Sequence, residues 1–349
     1  MAKEVLSIGG STDGGTTRKN ECYWFAVSTD LWSAATSLGV TKFNGASYSI
    51  ASGEALYSGG FATAVLTVVE RNVAAADVWS ARTSIPAARS AHNGASRLAD
   101  DKAIMLGGLA GAKTNDSIVH SIAADTYTAG PAPGTAGRDM GCSGSLADAY
   151  IYHNSFVSTD SLTVRYDIGA AAFTSRAASG TNHTLSNGGF RTTGFIHIAG
   201  GSGGSGLINE RHGEAGDTWT TRTGLVLSQT FNAAAGFGDV DGGIIWGKLT
   251  DNTSTLVQDG ANTTSVGPTY ATDINYAAGC QLVDDQPTPD YLVQIQFDDG
   301  GFGNVTTQSG DAGSGTKAGS GNVAYWTSTH TDKDDTDGTM DVRITADLE

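Results

Sequence analysis

The chain has 349 residues, 48 of them glycine and 6 proline, with 36 acidic against 20 basic side chains and a formal net charge of -16. That length buries a sizeable core, while the charge argues against holding a nucleic-acid backbone or an anionic membrane through the overall field, because both would be repelled. So few prolines exclude a proline-rich linker protein, and short alternating runs of Gly, Ala, Ser, Thr and Val favour many short strands over helices.

The chain opens on "MAKEVLSIGG", without a basic region ahead of a long apolar stretch, and holds no run of about 18 apolar residues. Synthesis in the cytoplasm without membrane insertion is the expectation. "EVLSIGG" at 4 is the first of six aligned phrases; "EALYSGG" at 54, "KAIMLGG" at 102, "DAYIYHN" at 148, "FIHIAGG" at 195 and "GIIWGK" at 243 follow. Their last residues, Gly10, Gly60, Gly108, Asn154, Gly201 and Lys248, are 50, 48, 46, 47 and 47 apart. A second marker keeps the same beat: Trp32, Trp79, Tyr127, Phe173 and Trp219, mostly preceded two residues earlier by Asp, recur at 47, 48, 46 and 46. A small-residue strand such as "GASYSIAS" or "NGASRLA" precedes each glycine phrase, and an alternating run such as "TAVLTVVE" follows it.

Each unit of about 47 residues therefore holds four short strands, and so small a sheet buries both faces only by stacking on its neighbours. Radial stacking predicts an all-β propeller. The paired glycines are expected where backbones converge near the axis, and the aromatic of the outer strand is expected to fill the wedge between adjacent sheets. After six glycine phrases "AAGCQLV" (277–283) is a spare strand, and pairing it with "KEVLSIGG" closes six blades and removes the open edges. The alternative is seven blades, begun at Asp290 in "DYLVQIQF" and closed by "MDVRITADL". "VDDQPTPD" has a linker's composition, so the expected domains are 1–285 and a small β module over 286–349 built from "YLVQIQFDDGG", "NVAYWTSTH" and "GTMDVRITADL".

The strand ending on Gly-Gly, the later Trp with its Asp, and the Trp-Pro-Arg run in "WSARTSIPAARSAHNG" resemble kelch repeats over about residues 3–283. The pattern departs at His153-Asn154 and at Gly247-Lys248, and the sixth aromatic is missing around "NTTSV". The tail's "GTMDVRITA" resembles the last strand of immunoglobulin-like or fibronectin-type modules. Kelch-like propellers include radical-copper oxidases, sugar-acid epimerases and pure binding modules, so the fold leaves function open. The seven histidines show no paired metal-ligand spacing, and neither a metal nor a cofactor is expected.

Loops that leave the outer strand and loops that follow the glycine phrase are expected on one face, which would carry Arg18, Arg82, Arg89, His92, Arg138, Asp139, Arg176, His183 and Arg222. Of these, Arg89, His92, Arg138, Asp139, His183 and Arg222 are the candidate ligand-binding set, suited to bidentate recognition of carboxylates such as those of acidic sugars. The competing reading is that each Arg caps carbonyls or pairs with a local Asp. "THTDKDDTDGTMD" (329–341) fails the calcium-loop register and reads as a solvated turn. "IAGGSGGSG" (198–206) lacks the Lys-Ser/Thr of a phosphate loop. Cys22, Cys142 and Cys280 lie far apart in strand-like runs and are expected as buried free thiols.

A Gly/Ala/Ser/Thr-rich repeat joined to a small β tail, with little Lys and Glu, resembles bacteriophage virion proteins such as tail fibres, capsid decorations or appendages. That resemblance implies a non-enzymatic structural and binding protein located in the virion. Its partners would be other virion proteins and a host-surface glycan or protein, not nucleic acid, and homo-oligomers are compatible with it. A sugar-active enzyme on the same scaffold and an intracellular kelch adaptor are the alternatives.

Overall fold

A computed structural model describes residues 5–12, 17–27, 29–51, 53–110, 112, 114–133, 139–145, 150–156, 161–181, 183, 189–192, 195–201, 206–213, 215–228, 233–236, 242–248, 251–269 and 277–281, then 292–298, 304–308, 316–318, 325–327 and 341–347. The chain separates into two compact units, Met1–Asp285 and Gln286–Glu349.

The first unit is all-β, a propeller-like arrangement of small antiparallel sheets. Its strands in chain order are β1 (Val5–Thr12), β2 (Thr17–Ala26), β3 (Leu31–Ala35), β4 (Ala46–Ala51), β5 (Glu54–Ser58), β6 (Val69–Val73), β7 (Val78–Ala81), β8 (Asn93–Arg97), β9 (Lys102–Leu106), β10 (Ser117–Ser121), β11 (Thr126–Gly130) and β12 (Asp139–Ser145). There follow β13 (Tyr150–Phe156), β14 (Thr163–Asp167), β15 (Ala172–Arg176), β16 (Gly189–Thr192), β17 (Phe195–Ala199), β18 (Asn209–Gly213), β19 (Thr218–Thr221), β20 (Ala233–Gly236), β21 (Gly242–Lys248), β22 (Asp251–Gln258), β23 (Thr263–Gly267) and β24 (Ala278–Gln281). Among the described residues they form four-stranded sheets ordered β24-β1-β2-β3, β4-β5-β6-β7, β8-β9-β10-β11, β12-β13-β14-β15, β16-β17-β18-β19 and β20-β21-β22-β23, numbered 1 to 6 below. The first-named strands neighbour one another in a cycle: β4 lies beside β8, β8 beside β12, then β16, β20, β24 and back to β4.

The closing strand is the spare one. Ile8 faces Ala278 and Val5 faces Gln281 across the β1–β24 ladder. "MDVRITADL" does not return to this unit, because Asp341–Asp347 pairs instead with Leu292–Asp298.

Alternation explains how neighbouring sheets meet. In β4 ("ASYSIA") every second residue is buried. Tyr48 and Ile50 pack with Ala103 and Met105 of sheet 3, while Ser47 and Ser49 on the other face reach Gly279 O at 2.7 Å and Cys280 Sγ at 3.7 Å in sheet 1. β9 is sandwiched from both sides, so Ala103, Ile104, Met105 and Leu106 are all buried and the strand reads as a continuous apolar run. Trp79 packs against the cluster that Leu6, Ile8 and Trp24 of sheet 1 form with Ala55 and Tyr57 of its own sheet. It fills the wedge as expected.

The glycine pairs take backbone conformations that side chains disfavour. Gly107 and Gly108 have φ of 66° and 101°, and a Cβ on Gly108 would lie 2.6 Å from Ser90 O. The close neighbour of Gly108 is thus the connecting loop that enters the sheet, rather than a strand of the next sheet at the axis.

In the second unit, β25 (Leu292–Asp298) pairs antiparallel with β26 (Asn304–Gln308) and β29 (Asp341–Asp347), and β27 (Thr316–Ala318) pairs with β28 (Tyr325–Thr327). The turn 331–340 and loop residues 202–205 lie outside the described residues.

Candidate functional site

The candidate site begins with the loops that enter each sheet. Ahead of sheet 3, Arg89 is 1% exposed. Its backbone carbonyl accepts the Gly60 N–H at 2.9 Å, tying it to sheet 2. Its guanidinium reaches forward into sheet 3, donating to Gly107 O at 3.1 Å and to Asp116 Oδ2 at 3.0 Å. His92, three residues on, is as deeply buried and meets Ser58 Oγ through Nε2 at 3.2 Å. Burial, aided by the Arg89 charge, pushes the His92 imidazole down to about 3, so the ring is neutral near pH 7.

The same post recurs before sheets 2 and 5 with different chemistry. Lys42, 47 residues before Arg89, accepts the Gly10 N–H on its carbonyl at 3.2 Å and places Nζ 2.5 Å from Glu70 Oε2 and 4.7 Å from the Tyr57 ring centre. His183 puts Nδ1 2.8 Å from Gly200 O and Nε2 2.9 Å from Glu210 Oε2. The ring thus spans from the end of β17 to the acid on β18. Glu70 also accepts the Gly39 N–H and Glu210 the N–H groups of Gly180 and Thr181. Lysine, arginine and histidine therefore do one job: a buried nitrogen-bearing side chain in the entry loop meets an acid of the sheet it enters.

Three further arginines leave outer strands and hold the turn of the next sheet. Arg82 Nε lies 3.3 Å from Asp125, Arg176 Nη1 3.8 Å from Asp217, and Arg222 Nη2 3.0 Å from Asp259 Oδ1 while also donating to Asp259 O. Asp259 is the most heavily used acid here. Arg211 Nη1 reaches its two oxygens at 2.9 and 2.7 Å, and His197 Nε2 lies 3.4 Å away. Burial alone would raise this carboxyl, but His197 and Arg211 outweigh it and hold Asp259 well below the usual carboxylate range.

The candidate residues are thus brought together in part. Arg89 and His92 share one entry loop, His183 occupies the corresponding loop ahead of sheet 5, and Arg222 bridges sheets 5 and 6. Arg138 and the side chain of Asp139 lie outside the described residues. Arg18 places its guanidinium 5.3 Å over the Phe61 ring. The described set holds arginines already engaged by the protein's own acids, so a ligand carboxylate would have to displace Asp116 to reach Arg89. Sequence reasoning missed Lys42, Glu70, Glu210, Arg211 and Asp259. The one available signal was the 47-residue step from Lys42 to Arg89, which the change of residue type conceals.

Cys22 and Cys280 are buried thiols outside any disulfide, and burial pushes the Cys22 thiol up to about 12; the side chain of Cys142 lies outside the described residues. Among the described residues no cluster of three or more His, Cys, Asp or Glu is placed to hold a metal ion. Compared with known protein families and with curated proteins, the chain matches no family model and no curated sequence.

Proposed function

We propose that this chain is a structural and binding protein rather than an enzyme: a six-bladed, kelch-like propeller with a small immunoglobulin-like tail, carried in a bacteriophage virion as a tail fibre, capsid decoration or appendage. The observation that carries the reading is the use to which the basic side chains of the connecting loops are put. Lys42, Arg89 and His183, and likewise Arg82, Arg176 and Arg222, are matched to acids that tie strands, loops and sheets together. That is the chemistry of a rigid presenting scaffold. The cycle of inner strands supports the six-blade count, and the acidic balance of -16 favours partners other than nucleic acid. One unit anchors to other virion proteins, and the exposed surface contacts a host-surface glycan or protein.

Mass spectrometry of purified particles tests the assembly role, with the chain expected at a fixed stoichiometry to the capsid protein. Glycan-array binding by the purified chain tests the recognition role. Catalytic turnover of sialic-acid or galactose-type substrates would overturn the reading in favour of an enzyme.

A further inference from the structure

A regular clasp joins consecutive sheets and, among the described residues, skips two seams. In each sheet the residue closing the turn into the outer strand is left-handed: Asp30, Asp77, Asp125, Ala171, Asp217 and Asn262 have φ between 45° and 54°. The side chains of Asp77, Asp125, Asp217 and Asn262 reach back to the loop leaving the preceding sheet. Asp77 accepts the Thr36 N–H at 3.2 and 3.0 Å, Asp125 the Thr83 N–H at 3.1 Å, Asp217 the Ala177 N–H at 3.1 Å, and Asn262 the Thr223 N–H at 2.9 Å. The second residue of the outer strand often returns a bond. Trp79 Nε1 donates to Thr36 O at 2.8 Å, Trp219 Nε1 to Ala177 O at 2.9 Å, and Thr264, standing where the sixth aromatic was missed, donates to Gly224 O at 2.7 Å.

The donor always lies four residues after that second position. Sheets 3 and 6 carry Pro131 and Pro268 there, which have no N–H to give. The preceding residue, arginine in sheets 2, 4 and 5, is Gly130 and Gly267 in these two. A Cβ on either glycine would collide with Ser117 Oγ (2.3 Å) or Ser254 Oγ (2.5 Å). Those hydroxyls instead donate to Pro131 O at 2.6 Å and Pro268 O at 2.7 Å within their own sheets. Sheet 4 answers in kind, with Ala171 at the acceptor position after the donorless Pro131.

From this we infer that the ring is built as two clasped arcs, sheets 1 to 3 and sheets 4 to 6, each of which opens and closes as a unit at the seams where the Gly-Pro exits bond inward. Sheets 3 and 4 still meet through an apolar cluster of Ile104, Val119, Tyr166, Ile168 and Phe173. At the other seam Trp246 Nε1 donates to Ser7 Oγ at 2.9 Å. The clasps couple sheets inside an arc, and these contacts hold the arcs together.

Hydrogen exchange followed by mass spectrometry on the full chain in graded denaturant tests this. Amides of β5, β6, β9 and β10 are expected to share one opening free energy, and those of β14, β18 and β22 a second. Asp77→Ala should speed exchange about tenfold across the first group and leave the second unchanged, with Asp217→Ala doing the reverse. Equal acceleration of both groups by either variant, or no acceleration by both, overturns the inference. Should a variant fail to fold, the wild-type experiment decides alone: a single opening free energy for all these strands means one unit and not two.

Discussion

At the residue scale, stability turns on buried charge. Lys42 is fully buried with Glu70 its counter-ion, and removing one member of such a pair leaves the other uncompensated in a low-dielectric site. Lys42→Met is expected to destabilise the first unit by about 3 kcal/mol, with Glu70→Gln added to it recovering part of the loss because Gln keeps an acceptor for Gly39 N–H. Denaturant midpoints of the single and double variants check this. His92 gives a pH signature. Its folded value of about 3 lies below the ordinary imidazole value of about 6.5, so the unfolded chain takes up the proton first. Its contribution is therefore complete above about pH 6.5 and is lost as pH falls toward 3. His120 and His212, also lowered chiefly by burial, act in the same direction. His92→Gln should flatten the melting temperature against pH between 6.5 and 4; an unchanged slope would contradict the assignment.

At the element scale the outer-strand position shows how one geometric role is filled by different side chains. Trp219 donates to both Thr163 Oγ1 at 3.1 Å and Ala177 O at 2.9 Å, whereas Phe173 in sheet 4 fills the wedge with no donor at all. Trp219→Phe is expected to lower stability by about 1 to 2 kcal/mol, from lost hydrogen bonds and a smaller ring. Thermal unfolding measures it, and Phe173→Leu serves as the comparison that removes packing without a hydrogen bond. The aromatic beat was legible in the sequence because size recurs there. The clasp was not, since an Asp two residues earlier reads as an ordinary turn former until its φ and its partner in the preceding sheet are known.

At the scale of the whole first unit, stability rests on closing the ring with a strand that arrives some 270 residues after its partner. Gly279 in that strand is pressed against Ala234 O and the Trp246 ring, 2.3 and 2.6 Å from where a Cβ would stand. Gly279→Val should therefore loosen the β24–β1 ladder and the sheet 6 interface together. The expected result is a loss of at least about 2 kcal/mol with faster exchange in both β1 and β20, and protection lost in neither would show that closure does not depend on that contact.

The sequence by itself determined the period, the four-strand unit, the all-β class and the spare closing strand, because strand alternation and a 47-residue beat are local patterns that stacking merely repeats. The same patterns supplied a list of arginines and histidines on connecting loops, and there local information ran out. Whether a cation faces solvent or an acid depends on where a residue from the same or the next sheet falls in space. Only the tertiary structure decided that Arg89, His183 and Arg222 meet Asp116, Glu210 and Asp259, or that Gly130-Pro131 and Gly267-Pro268 turn their bonds inward.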